Sequence, residues 1–230
     1  MLLAQFQFDW VDGLALAWFV ACWSGYFVYA KRAGGRSASL FSRMSHWRHV
    51  WRARTAEREN RMVDLSALTT LATSAQFFAS TTMLILGALI ALMGYTERAV
   101  DVVAELPFTR SATTRLWELK TLLLLLIFVY AFLKFSWSIR QFGFAGVLVG
   151  AMPDDRHAGP TRDRHAVRVA DVLDHAAENY NNGLRAHYFG LSTLAWFLHP
   201  VLFIVAVVAV TGILYHREFR SRTMRALADD

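Results

Sequence analysis

An uncharged stretch from 65 to 96 constrains this chain more than any other feature. It exceeds the roughly 20 residues a helix needs to cross a hydrocarbon core, and soluble domains seldom bury or expose such a run. Three further apolar runs accompany it, at 13–30, 121–139 (interrupted once, by Lys134) and 186–215. Together they predict an all-α fold, a four-transmembrane-helix bundle with spans at about 10–30, 65–95, 117–141 and 184–215. The whole chain, 1–230, then forms a single membrane domain, with cytoplasmic segments at 31–63 and 153–183.

Charge sets the orientation. The chain carries a net +6. Its basic residues gather between the first two spans (Lys31, Arg32, Arg36, Arg43, Arg48, Arg52, Arg54, Arg58 and Arg61) and before the last (Arg156, Arg162, Arg164, Arg168 and Arg185). That distribution suits anionic lipid of an inner leaflet better than nucleic acid. By the positive-inside rule the N-terminus lies outside and both basic segments lie in the cytoplasm of a multi-pass bacterial inner-membrane protein. One feature resists this reading. Four spans put the C-terminus outside, yet Arg217, Arg220, Arg222 and Arg225 follow the last of them. Either a short basic tail is exported or the number of spans is wrong by one. The remaining apolar run, 143–152, is too short to cross. Cys22 is the only cysteine, so an intramolecular disulfide and a cysteine metal site are both excluded.

Leu40, Phe41, Met44, Trp47, Val50 and Trp51 recur at helical spacing with basic residues between them. This predicts an interfacial amphipathic helix that lays Arg43, Trp47, Arg48, Trp51 and Arg52 on the lipid surface. The bland alternative is a helix solvated on one side and packed on a partner. A second cytoplasmic helix is expected over about 161–180, with Val169, Leu173, Ala176, Ala177 and Tyr180 as its buried stripe.

Polar groups at membrane depth mark packing faces or pathways, because lipid offers them no partner. Thr69, Thr73, Gln76, Ser80, Gly87, Ala91 and Gly94 form one stripe on the second span. Such a stripe is either a seam that lets another helix approach closely or a pore lining into which Gln76 projects its amide. In the last span Pro200 frees the carbonyl near Trp196, and His199 beside it can relay protons, bind a metal or satisfy that carbonyl. Counted from the cytoplasmic ends, Gln76 and His199 both fall roughly 20 Å in and could share a polar layer. No second histidine stands ready to complete a haem, so no cofactor and no metal are expected. Lys134 either snorkels to the inner interface or joins Arg140, Arg185 and Asp64, with Asp64 bridging to Lys134 or Arg185. Asp9, Asp12 and Glu118 make an acidic collar at the opposite rim, offset by Lys120. Asp171, His175 and Glu178 have a metal-compatible spacing, but on an exposed helix this is usually a solvated face. No nucleophile elbow, phosphate loop or zinc-protease motif is present, so enzyme activity is not expected.

Four local motifs carry a resemblance. Asn60-Arg61-Met62-Val63-Asp64 leads into Ser74-Ala75-Gln76-Phe77-Phe78-Ala79-Ser80-Thr81-Thr82, and Lys120 and then Tyr130-Ala131-Phe132-Leu133-Lys134-Phe135-Ser136-Trp137-Ser138-Ile139-Arg140-Gln141 follow. Asn182-Gly183-Leu184-Arg185-Ala186-His187-Tyr188-Phe189 then precedes Ala195-Trp196-Phe197-Leu198-His199-Pro200. The chain resembles, over nearly its whole length, a bacterial and plant family of integral membrane proteins numbered 599 among the domains of unknown function. The resemblance implies a four-helix inner-membrane protein without an assigned activity. It also gives weight to Asn60, Arg61, Asp64, Lys134, Arg140, Arg185 and His199, which fall inside the motifs.

Two functions suit these features. The first is a homo-oligomeric ion channel or transporter, with Gln76, Ser80, His199 and Lys134 along its path and Asn60, Arg61, Asp64, Arg140 and Arg185 at its cytoplasmic rim. The second is a non-catalytic scaffold or accessory subunit whose small-residue face docks a partner membrane protein.

Overall fold

A computed structural model describes residues 10–34, 39–105, 113–153 and 159–227. Asp9, Arg36 and Arg156 lie outside them. The described residues are helical, in the order α1 (Trp10–Gly34), α2 (Leu40–Glu57), α3 (Met62–Met93), α4 (Thr96–Ala104), α5 (Thr114–Gly150), α6 (Pro160–Leu194), α7 (Pro200–Phe219) and α8 (Arg222–Ala226). Four helical stretches are long and apolar enough to cross a membrane: Trp10–Arg32, Met62–Met93, Thr114–Gly150 and Pro200–Ala226. Three of them coincide with spans read from the sequence. The fourth does not.

The apolar run at 186–215 is two helices, not one. α6 ends at Leu194, a single 3-10 turn covers Ala195–Phe197, and His199 is fully extended at φ −157°. A residue before proline is pushed out of the helical region, and proline suits the first position of a new helix because that N–H has no partner anyway. His199 completes the restart: its Nδ1 accepts from the Val201 N–H at 3.1 Å. The chain then turns back. Arg217 of α7 donates to the Tyr188 hydroxyl of α6, and Arg185 lies 3.7 Å from Glu218. Those pairs meet only if α6 and α7 are antiparallel.

This hairpin removes the difficulty over the C-terminal arginines. α7 runs parallel to α1, with Phe203 beside Phe19 and Tyr215 beside Tyr29. Arg217, Arg220, Arg222 and Arg225 therefore return to the end of the bundle that holds Lys31 and Arg32. The upper part of α6 runs inside the bundle, antiparallel to α7. It escapes detection by composition because its neighbours shield it: Gly183, Ala186, Phe189, Gly190, Ser192 and Thr193 are all buried. A helix hidden from lipid by other helices has no need of a continuous apolar surface.

Two tiers result. In the apolar tier, α1, α7 and the upper parts of α3, α5 and α6 surround Phe19, Phe135, Phe189, Trp196, Phe203 and Val207. In the second tier, the start of α3, the end of α5 and the first half of α6 are joined by α2 around Leu68, Ala75, Phe142, Ala145, Val169 and Leu173. The run at 143–152 thus continues α5 into the core of the second tier. α2 descends along α6. Its Ser45 donates to Asp174 at 2.6 Å and its Arg48 pairs with the same carboxylate.

Candidate functional site

The tiers meet at a polar cleft of about 210 Å³ between the end of α1, the start of α2 and the middle of α6. Lys31, Ser42, Ser45, Glu178, Asn181, Asn182 and Arg185 supply its polar lining, and Phe27, Ala30 and Phe41 its apolar wall. Each element is there for a local reason. α2 begins here because the Ser39 hydroxyl accepts from the Ser42 N–H at 3.1 Å. The Glu218 carboxylate of α7 takes another free N–H of that first turn, from Phe41, at 3.2 Å. A carboxylate at a helix N-terminus also suits its dipole.

Arg185 anchors the cleft. Its guanidinium donates to the Asn182 side chain at 3.2 Å, lies 3.7 Å from Glu218 and sits 5.4 Å over the Tyr26 ring. Glu218 offsets part of its charge. Lys31 forms no ion pair or hydrogen bond among the described residues, so its ammonium charge is uncompensated. The cleft thus offers two cations, one carboxylate (Glu178) and four neutral polar side chains.

The other residues singled out from sequence occupy separate places. Lys134 donates to Asn179 at 3.1 Å, and Asn179 donates to Gln141 at 2.9 Å, making a short polar chain between α5 and α6. Asp64 bridges neither Lys134 nor Arg185. One of its oxygens accepts from Trp51 at 2.6 Å, Thr55 at 2.9 Å and Arg58 at 2.9 Å, which ties the end of α2 to the start of α3. Trp51 is thus held by Asp64 and Arg48 by Asp174, while Trp47 is 38% exposed. Arg43 and Arg52 are half-buried. Asn60 caps α3 by accepting from the Met62 N–H, and Arg61 caps the end of α5 through the Met152 carbonyl at 2.9 Å. Arg140 is exposed and stacks near Trp137 and Phe144.

Gln76 and His199 do not share a layer. Phe78 stacks on Phe135, which puts Gln76 level with about Trp137, where the tiers join. His199 caps α7 at the far end, near Trp117 and Phe197. At 1.5 Å per residue along α5 the two are about 25–30 Å apart. A shared depth requires that 65 and 184 both mark the cytoplasmic ends of spans. The first turns of α3 instead run through the second tier. Thr69 and Thr73 line a groove there with Ser66, Thr70, Ser74 and Tyr180, and their hydroxyls are spent on carbonyls one turn back. Ser80, Gly87, Ala91 and Gly94 are exposed on the outer side of α3.

The far end holds a buried charged group that the sequence only hinted at. Lys120 donates to the Trp196 carbonyl at 2.8 Å, the carbonyl that the Pro200 break releases. The Trp196 indole donates to Asp12 at 2.7 Å, and Asp12 lies 3.9 Å from Lys120. Of the acidic collar, then, Asp12 is buried beside the buried Lys120 and Glu118 is exposed on α5. Asp171, His175 and Glu178 make no metal-ligand group, and no cluster of three or more such ligands exists among the described residues. Sequence reasoning missed the cleft as a unit. Its signal was Asn182-Gly183-Leu184-Arg185, whose asparagine and arginine point into the cleft while its glycine packs on α5.

The model of a family described as "Protein of unknown function, DUF599" matches residues 14–223. No curated protein and no solved structure matches the chain. With most of its length matched, the chain belongs to the DUF599 family.

Proposed function

For this member of the DUF599 family, we propose a transport role in the bacterial cytoplasmic membrane, with the N-terminus outside and the second tier in the cytoplasm. The cleft around Arg185 takes up a phosphate-bearing anion from the cytoplasmic face. The observation that carries this reading is that Lys31, which has no ion-pair partner among the described residues, lines one cleft with Arg185 where the apolar and basic tiers meet. Ammonium and guanidinium donors give short, charge-assisted hydrogen bonds to phosphate oxygens. The orientation rests on charge: both basic segments and the C-terminal arginines stand at this one end. Carrier-type transport is favoured over an open channel because Phe19, Phe135, Phe189, Trp196 and Phe203 fill the bundle between its two ends.

The test uses glycerol 3-phosphate as a soluble probe. Titration calorimetry on the detergent-purified protein is expected to show saturable binding that Lys31→Ala weakens about tenfold, the scale of one lost charge-assisted contact. Binding that ignores this substitution removes the reading.

A homo-oligomer is the second part of the proposal. Ser80, Gly87, Ala91 and Gly94 make a small-residue face on the outside of α3, and an added Cβ at Gly87 meets nothing within 4 Å in a single copy. Such a face lets two helix backbones approach closely. In a Cys22→Ala background, Ala91→Cys is expected to cross-link pairs of chains in native membranes. Adding Gly87→Leu should abolish the cross-link while leaving the thermal transition of the single chain within a few degrees. No cross-link, with a different membrane protein co-purifying stoichiometrically, would favour the accessory-subunit role and overturn the homo-oligomer.

A further inference from the structure

The polar cleft does not stand alone. A second depression, of about 530 Å³, runs up the outside of the apolar tier between α1 and α5. Val20, Trp23, Leu123, Leu126, Ile127 and Tyr130 line most of it, and its lower end is Phe27, which also walls the cleft. α1 leans on α7 through Phe19 and Phe203, and this opens the space between α1 and α5. The two depressions share the Phe27 wall, so two cations and a carboxylate at the tier boundary stand next to an apolar channel along the bundle side. Its volume lies within the range of about 300–1,000 Å³ typical of ligand pockets.

From this juxtaposition we infer that the Arg185 cleft and the α1–α5 groove together form one phospholipid site. The headgroup phosphate sits against Lys31 and Arg185, and one acyl chain lies along Trp23, Leu126 and Ile127. Glu178, on the same cleft wall and 4.0 Å from the exposed His175, adds a demand of its own: a carboxylate beside a bound phosphodiester is repulsive, and a cation on the headgroup offsets that repulsion. The lipid class that satisfies all three charges is an aminophospholipid. The groove opens sideways to the surrounding lipid, so the ligand enters from the basic leaflet without crossing the bundle. This inference rests on the anion-binding reading of the cleft and names its ligand.

The experiment is native mass spectrometry of the protein from nanodiscs holding equal amounts of phosphatidylethanolamine and phosphatidylglycerol. One phosphatidylethanolamine is expected to stay bound per chain, in several-fold preference. Lys31→Ala should lower its retention about tenfold. Leu126→Trp fills the groove at a side chain that is 56% exposed, so it should release lipid without unfolding the chain. Glu178→Gln should erase the headgroup preference while retention persists. A circular dichroism melt on each variant separates lost binding from lost fold. Retention that does not discriminate the two headgroups, or that Leu126→Trp leaves untouched, overturns the lipid assignment. If glycerol 3-phosphate still binds in a Lys31-dependent way, the cleft reading survives that failure. If neither ligand depends on Lys31, both readings fall.

Discussion

Gly183→Ala is expected to destabilise the purified protein by about 1–3 kcal/mol or more, the scale of forcing a methyl group into a filled core. A Cβ at Gly183 would lie 2.7 Å from two carbons of the Phe135 ring, a distance that real Cβ atoms do not adopt. The ring has no room to yield. Phe135 is fully buried, stacks on Phe78 at 5.5 Å and meets Tyr180 and His187 at its edges. The added methyl must therefore push α6 away from α5, and this pair of helices carries Arg185, Asn182 and the polar chain from Lys134. The thermal melt in detergent is the readout, with Gly143→Ala on the exposed side of α5 as the internal control, since a Cβ there meets nothing within 4 Å. Equal melting of the two variants would show that α5 and α6 do not pack as closely as described. Gly190→Ala should fall between them, because its nearest neighbour, the Phe128 ring, is 3.0 Å away.

The same glycine shows what the sequence could and could not reveal. Three spans were legible because α1, α3 and α5 turn apolar side chains outward, and hydropathy reads that surface directly. The upper half of α6 was not, since its small and polar residues face other helices. Its neighbour α7 then lent it enough apolar residues to mimic one long span. The local signal for the break was present in His199-Pro200, a cap followed by proline at the first helical position. A kink and a restart begin with the same residues, so the pair alone does not separate them. The four C-terminal arginines were the stronger clue, as charge placement is a global constraint. Asp64 illustrates another limit. A side chain's partner depends on which helix docks against it, and the sequence gives no sign that α2 brings Trp51, Thr55 and Arg58 to Asp64. Lys31 was counted among the basic residues without being singled out. Only the fold brings it to Arg185.

Lys120→Met should have the other large effect, about 3–5 kcal/mol on the scale of a buried pair that loses one partner. Lys120 and Asp12 are each 3% exposed, so neither charge has water to fall back on. Removing the ammonium strands the Asp12 carboxylate. It also leaves the Trp196 carbonyl without its donor, at a point where Pro200 has already ended the helical hydrogen bonding. Asp12→Asn should cost less than Lys120→Met, because an amide oxygen can still accept from the Trp196 indole. In the double variant the stranded carboxylate is gone, so the combined loss should fall well short of the sum of the two single losses. Additive losses would mean that the two groups act independently and that the turn between α6 and α7 is held by packing alone. A sub-additive result would identify this triad as the latch of the α6–α7 hairpin. That hairpin returns Glu218 to Arg185, so damage at the far end should also weaken anion binding at the cleft some 20 Å or more away, by about 1.5 Å per residue of α6 and α7 between them. Measuring glycerol 3-phosphate binding by Asp12→Asn, which is expected to remain folded, tests that link without relying on the more damaging variant.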